Sequence, residues 1–174
     1  MTEKGNTFWT FLAVFAGFIV FVLIVGAGNA REPKFEYDAI TIEVRKVIDG
    51  DTVTAIIENK EVNIRLYGID APESTQTYGT QSRDALNALI DRSKPVVFLK
   101  VTDDRYGRAV GVLYQNRLCI NERMVIDGHA WHYPYSKPVS NIIRYHHKVA
   151  RDAKVGLWAH PDPIPPWQYR KENK

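Results

Sequence analysis

Alternation of apolar and polar side chains between positions 40 and 67 constrains this chain more than any other feature. Ile40, Ile42 and Val44 alternate with Thr41, Glu43 and Arg45. Val62, Ile64 and Leu66 alternate with Asn63, Arg65 and Tyr67. A period of two marks a half-buried strand, with one face inward and one outward. Between these segments, Thr52 to Ile57 reads as another strand, entered through an Asp49-Gly50 turn and left through Glu58-Asn59-Lys60. Three short consecutive strands are predicted, with Arg65 on the face opposite the aliphatic residues.

Helical spacing follows. Leu86, Leu89 and Ile90 predict a helix over about Thr80 to Asp91. Val96 to Val101 and Ala109 to Tyr114 read as two more strands, joined by a polar turn. Ile120 to Asp127 reads as a short helix stopped by Gly128. Ile142, Ile143, His146, Val149, Ala150 and Ala153 line one face of a last helix, about Ser140 to Lys154. The tail from Pro161 to Trp167 carries four prolines and is predicted to be non-helical. Five short strands with a helix after the third suggest an α+β fold. The natural candidate is a partly open, five-stranded barrel of the OB type with about three helices.

The N-terminal part is of another kind. Gly5 to Ala30 holds 26 residues without a charge, and Phe8 to Gly28 is almost wholly apolar. As a helix that stretch would span roughly 31 Å, against a hydrocarbon core of about 30 Å. Residues 1–30 are therefore expected to be a membrane anchor or a signal peptide, and the length of the run favours the uncleaved anchor. Either way the domain is expected outside the cytoplasm, on a single membrane span or secreted or periplasmic after cleavage. Residues 31–38 read as a linker, residues 39–160 as the barrel domain and residues 161–174 as a Pro-rich tail. A single cysteine, Cys119, excludes an internal disulfide and a thiolate zinc cluster. Its expected role is that of a small core residue. The net charge of +3 is too small to argue for a nucleic-acid partner by itself.

Three segments could carry chemistry. They are Asp49-Gly50-Asp51-Thr52, Ile69-Asp70-Ala71-Pro72-Glu73 and Asp103-Asp104-Arg105-Tyr106-Gly107-Arg108. Each alone passes for a turn or a solvated loop. Asp51 starts a strand, where aspartate is disfavoured. Carboxylate and carbonyl oxygens suit a hard cation such as calcium or magnesium. Arginines suit phosphate, because the planar guanidinium donates two parallel hydrogen bonds. A metal beside two arginines and a free carboxylate would be a phosphoryl-transfer constellation.

From about Ile40 to Trp158 the chain resembles the thermonuclease family, which includes the staphylococcal (micrococcal) nuclease. The motifs are Val47-Ile48-Asp49-Gly50-Asp51-Thr52-Val53, Ile64-Arg65-Leu66-Tyr67-Gly68-Ile69-Asp70-Ala71-Pro72-Glu73, Tyr106-Gly107-Arg108 and Gly156-Leu157-Trp158. The resemblance implies an OB-fold barrel and calcium-dependent, sequence-nonspecific hydrolysis of DNA and RNA to 3′-phosphate products. It makes Asp51 and Asp70 carboxylate ligands of Ca2+ and the Ala71 carbonyl a third ligand. It gives Glu73 the attacking water, and Arg65 and Arg108 the reacting phosphate. Tyr106, Tyr133 and Tyr135 match nucleotide-contacting aromatics, which favours single-stranded substrate. The loop after Glu73, Ser74-Thr75-Gln76-Thr77, is shorter and less lysine-rich than in the staphylococcal enzyme.

Other residues have plainer expectations. Trp131, Trp158 and Trp167 are expected to pack, and His146-His147 to divide between core edge and solvent. A monomer without an obligate protein partner, tethered to the membrane by its N-terminal segment, is expected. The competing function is a noncatalytic nucleic-acid-binding OB module on the same tether. A degenerate module of that kind would be expected to lose several of Asp51, Arg65, Asp70, Glu73 and Arg108, and all five are present.

Overall fold

A computed structural model describes residues 39–137 and 140–173. The expected leader and linker, residues 1–38, lie outside the described residues. Among the described residues no helix is long and apolar enough to cross a membrane.

The three predicted strands form an antiparallel meander of β1 (Ala39–Val47), β2 (Thr52–Ile57) and β3 (Lys60–Leu66). Asp49-Gly50 makes the first turn, where the Ile48 amide donates to the Thr52 carbonyl at 2.9 Å. Glu58 and Asn59 make the second, with φ of 50° and 62°. Two successive positive φ angles match the right-handed twist of a two-residue hairpin. There follow β4 (Ile69–Asp70), α1 (Gly79–Leu89), β5 (Val96–Asp103), β6 (Ala109–Gln115), β7 (Leu118–Cys119) and α2 (Ile120–Ile126). The chain ends with β8 (Trp131–His132), α3 (Asn141–Asp152), a 3-10 turn at Gly156–Ala159 and α4 (Pro166–Glu172).

Strand order around the sheet is β3-β2-β1-β5-β6, and a parallel pairing of β3 with β6 closes it. The result is the expected five-stranded barrel, here closed and accompanied by four α-helices among the described residues. Such small barrels need sharply curved strands. Register shifts between Val44 and Lys46 in β1, and between Lys100 and Thr102 in β5, supply the bulges that bend them. Val53, Ala55, Ile64, Leu66, Phe98 and Leu113 meet in one core with Leu86 of α1 and Met124 and Val125 of α2. Burying each of the larger of these side chains is worth roughly 1.5–3 kcal/mol. Asn121 is buried among them and joins two main-chain groups of β6 to the residue that follows β3. Its Oδ1 accepts the Leu113 amide at 3.0 Å, and its Nδ2 donates to the carbonyls of Tyr67 and Gly111 at 2.9 and 3.2 Å.

Three expectations need correction. The apolar face assigned to the last helix is only partly used: Ile143 and Ala150 are buried, but Ile142 and Val149 are 51% and 38% exposed. α3 packs on α2 and β8 from one side, which covers a stripe narrower than the apolar one. The tail is also not irregular throughout. Proline is excluded from helix interiors, but its fixed φ and missing N–H are tolerated in the first turn. α4 starts at Pro166, so Trp167 is helical. Cys119 is half-buried rather than in the core, and burial pushes its thiol up to about 11.

Candidate functional site

Strand pairing brings the three acidic and basic segments to one end of the barrel. Thr52 pairs with Arg65 across β2 and β3, which sets Asp51 beside Arg65. The parallel pairing of Arg65 with Val110 brings in the turn between β5 and β6 that ends in Arg108. β4 pairs with β8, Asp70 opposite Trp131, and this fixes Asp70 against the barrel. The loop from Ile48 to Asp51 can lie this close because residue 50 is glycine. A Cβ there would fall on the Ser82 hydroxyl and the Ala71 methyl. The Asp51 carboxylate accepts the Ala71 amide at 2.7 Å and the Thr52 hydroxyl at 3.0 Å.

Arg65 joins the two expected metal-ligand carboxylates. Its Nη1 lies 2.6 Å from Asp51 Oδ1 and its Nη2 2.7 Å from Asp70 Oδ1. The first contact is an ion pair out of line for a hydrogen bond. The second oxygen of Asp70 belongs to Arg170 of α4, whose Nη2 donates to Oδ2 at 2.7 Å. The same guanidinium donates through Nη1 to Glu73 Oε1 at 2.6 Å and to Asp70 Oδ1 at 3.2 Å. Asp70 is completely buried, so its negative charge is met by two guanidinium groups and not by water.

Burial and crowding of like charge perturb these groups. Burial, then the neighbouring Asp51 charge, pushes the Asp49 carboxyl up to about 6. Burial also raises the Asp70 carboxyl, against the opposing pull of Arg170 and Arg65. For Arg65, burial works downward, but Asp51, Asp70 and Asp49 together hold the guanidinium above its ordinary range. Such a cluster is a common mark of a functional site.

Arg108 has a different mount. Asp104 accepts the amides of Tyr106 and Arg108 at 2.9 and 3.0 Å, and Arg108 Nε at 2.7 Å. The aspartate thereby shapes the turn and aims the arginine, and Gly107 supplies the positive φ of 78° that closes it. Tyr106 is 69% exposed, beneath the guanidinium groups of Arg105 and Arg108, 4.8 and 5.7 Å from its ring centre.

Asp49, Asp51, Arg65, Ala71, Glu73, Tyr106, Arg108 and Tyr133 all line one open cleft of about 990 Å³. Tyr135 stands beside Tyr133, ring centres 5.4 Å apart. Every residue given a site role from the sequence therefore lies in or against the same cleft, Asp70 through its bond to Arg65 and Tyr135 through Tyr133. Trp131 and Trp158 pack on each other as expected, at 5.0 Å. Trp167 does not share that role. It lines the cleft, 6.1 Å from Tyr133 and 6.3 Å from Tyr135. Nothing in the sequence pointed to Arg170, and Asp104 belonged to one of the three candidate segments without a role of its own. Asp104 had a local signal in its spacing to Gly107; Arg170 had none, lying 100 residues from Asp70.

A metal would find oxygen donors here in the Asp51 and Asp70 carboxylates, which one guanidinium spans. That donor chemistry fits a hard cation. Among the described residues no group of three or more His, Cys, Asp or Glu side chains forms a ready-made metal cluster. A ligand set there needs main-chain oxygen or water as well.

Comparison with known proteins agrees with the geometry. The family described as staphylococcal nuclease homologue matches residues 63–160. A micrococcal nuclease of Shigella flexneri is 38% identical over 142 residues, covering 76% of this chain and 81% of that protein. An "uncharacterized endonuclease" of Escherichia coli O157:H7 is 40% identical over 130 residues, 73% of this chain and 82% of the relative. A staphylococcal-like nuclease of Arabidopsis thaliana is 35% identical over 155 residues, 86% of this chain but 47% of the longer plant protein. A barrel of this topology, a cleft of carboxylates and arginines at one end, and these relatives agree: the chain belongs to the staphylococcal nuclease family and is a nuclease, a hydrolase acting on nucleic acid.

Proposed function

We propose that this nuclease depends on calcium, cleaves DNA and RNA without sequence preference and leaves 3′-phosphate ends. The observation that carries the reading is the convergence of Asp51, Arg65, Asp70, Glu73 and Arg108 on one cleft. The Asp51 and Asp70 carboxylates and the Ala71 carbonyl would hold the calcium ion. Bound there, it would offset negative charge developing on the reacting phosphate.

The chain's own residues do the rest. Glu73 positions a water molecule and takes its proton as the oxygen attacks phosphorus. The bond from phosphorus to the 5′ oxygen breaks, that oxygen gains a proton, and the phosphate stays on the 3′ side. Arg65 and Arg108 donate to the non-bridging oxygens, where the planar fork matches the geometry. Tyr106, Tyr133 and Tyr135 stack on bases without reading them, so single-stranded substrate is favoured. The enzyme works as a monomer without an obligate protein partner. The apolar leader supports a location outside the cytoplasm, tethered to the membrane or released after cleavage.

The test is digestion of a single-stranded oligonucleotide by the full chain with calcium, with magnesium and with chelator, alongside Glu73→Gln. Cleavage with calcium that is abolished by chelator and by the substitution is the expected result. Oligonucleotide binding without cleavage under any condition would favour the noncatalytic module. Equal cleavage in chelator would overturn the metal requirement.

A further inference from the structure

Arg170 lies on α4, outside the segment 63–160 that the family model matches, yet it touches two carboxylates of the cleft. A surface ion pair by itself argues for little, since such pairs are worth about 0–1 kcal/mol. This one differs in two ways. Asp70 is fully buried, and Arg170 grips both of its oxygens, the short, directional form of the interaction. The approach of the helix is also fixed by contacts independent of the ion pair. Gln76 accepts the Glu73 amide at 3.1 Å and donates to the Ile164 carbonyl at 2.5 Å. The Tyr169 hydroxyl donates to the carbonyl or hydroxyl oxygen of Thr75, each at 3.2 Å. Two contacts thus tie the tail to the short loop that carries Glu73.

That loop has a problem to solve. Glu73 stands on irregular backbone with its side chain 35% exposed. A long side chain on a loop samples several rotamers, whereas a catalytic group has to be held to within about 0.5 Å. Arg170 supplies the restraint: one N–H to Oε1, while the same guanidinium bonds the buried Asp70 carboxylate. A carboxylate has roughly four lone-pair positions, so one such bond leaves acceptor capacity for water.

We propose that Arg170 is a positioning residue of the nuclease site, holding the Glu73 carboxylate in place, so that the C-terminal helix is a working part of the active centre. This rests on Glu73 acting as the water-activating carboxylate.

The experiment is a double-substitution cycle in the full chain: wild type, Arg170→Ala, Glu73→Gln and the pair, with Arg170→Lys and Arg170→Gln as controls. Rates are measured on a single-stranded oligonucleotide with calcium, together with melting temperature and amide exchange over residues 73–79. The expected result is a 10- to 100-fold fall in kcat for Arg170→Ala, KM within threefold, and faster exchange over 73–79. Arg170→Lys should recover part of the rate and Arg170→Gln less. In the Glu73→Gln background the further loss should shrink to under twofold, because the residue acts through Glu73. Unchanged kcat in Arg170→Ala would overturn the proposal. So would a raised kcat, which would make Arg170 an inhibitory plug. A loss confined to KM, or one that persists in full beside Glu73→Gln, would mean that Arg170 touches substrate and would overturn it too. A wild-type rate in Glu73→Gln itself would sink the reading of Glu73, and this proposal with it, in a separate arm of the cycle.

Discussion

Arg65→Ala separates what an arginine does for the fold from what it does for the reaction. In the folded chain its guanidinium spans Asp51 and Asp70 at 2.6 and 2.7 Å, and both aspartates are buried, 5% and 0% exposed. Removing one partner of a buried ion pair typically costs about 3–5 kcal/mol, because the other charge stays in a poor solvent. Asp70 keeps Arg170, so the loss falls mainly on Asp51 and the lower end, about 3 kcal/mol, applies. For a domain of this size that lowers the melting temperature by roughly 10 °C. Calcium should return more stability to the variant than to the wild type, since the carboxylates no longer share their charge with a guanidinium. The effect on rate is larger. An arginine that stabilises a phosphoryl-transfer transition state is worth about 10³–10⁵ in comparable enzymes, and a loss of that order is expected. Thermal melting with and without calcium, then turnover of a single-stranded oligonucleotide well below the melting point, reads both. A folded variant cleaving within tenfold of wild type would refute the phosphate role. A melting point within 2–3 °C of wild type in chelator, taking that as about 1 kcal/mol, would refute the electrostatic argument.

Asp104→Ala removes the acceptor of three N–H groups and should let Arg108 swing, lowering kcat about tenfold with a stability loss near 1 kcal/mol; an unchanged kcat would show that Arg108 needs no such mount. Asn121→Ala strips partners from a strand amide and two carbonyls in the core, so chemical denaturation should show a loss of about 3 kcal/mol with little change in m. His147 should make stability fall in acid. Burial, then His132 and Arg151, holds its folded pKa at about 4, and its Nδ1 accepts the His132 amide at 3.1 Å, which protonation at that nitrogen abolishes. An unfolded histidine titrates near 6.5, so the unfolded chain binds the extra proton first and stability drops as pH falls from about 6.5 to 4. The full effect at pH 5 is about 2 kcal/mol, discounted to about 1 for a half-exposed ring. Denaturation midpoints of wild type and His147→Asn at pH 7.5 and 5 check this, and an equal acid loss in both would refute it.

The strands were legible because their signal is local. Period-two alternation marks β1 and β3 whatever the rest of the chain does, since a strand's faces are set by neighbours in sequence. Of the charged segments only Asp51, an aspartate at a strand start, breaks a local preference; Asp70, Glu73 and Arg108 pass singly for turn residues and stand out through the resemblance of their ordered motifs to the thermonuclease family. Pro166 misled for a related reason: the rule against helical proline holds for helix interiors, and only packing decides that a helix begins at Pro166.

What the sequence by itself determined is the set of strands, the turn residues between them and the chemical kinds of side chain able to hold a cation and a phosphate. What only the tertiary structure decided is which of those groups meet. Closure of β3 on β6 puts Arg65 within reach of the Arg108 turn, although the two lie in separate segments of the chain. Docking of α4 adds Arg170 and Trp167 to a cleft whose other walls lie far earlier in sequence. Those encounters depend on the summed burial of Ile64, Leu66, Phe98 and Leu113 in one core. Hydrophobic burial is nondirectional, so no short stretch of sequence encodes the partners that it brings together.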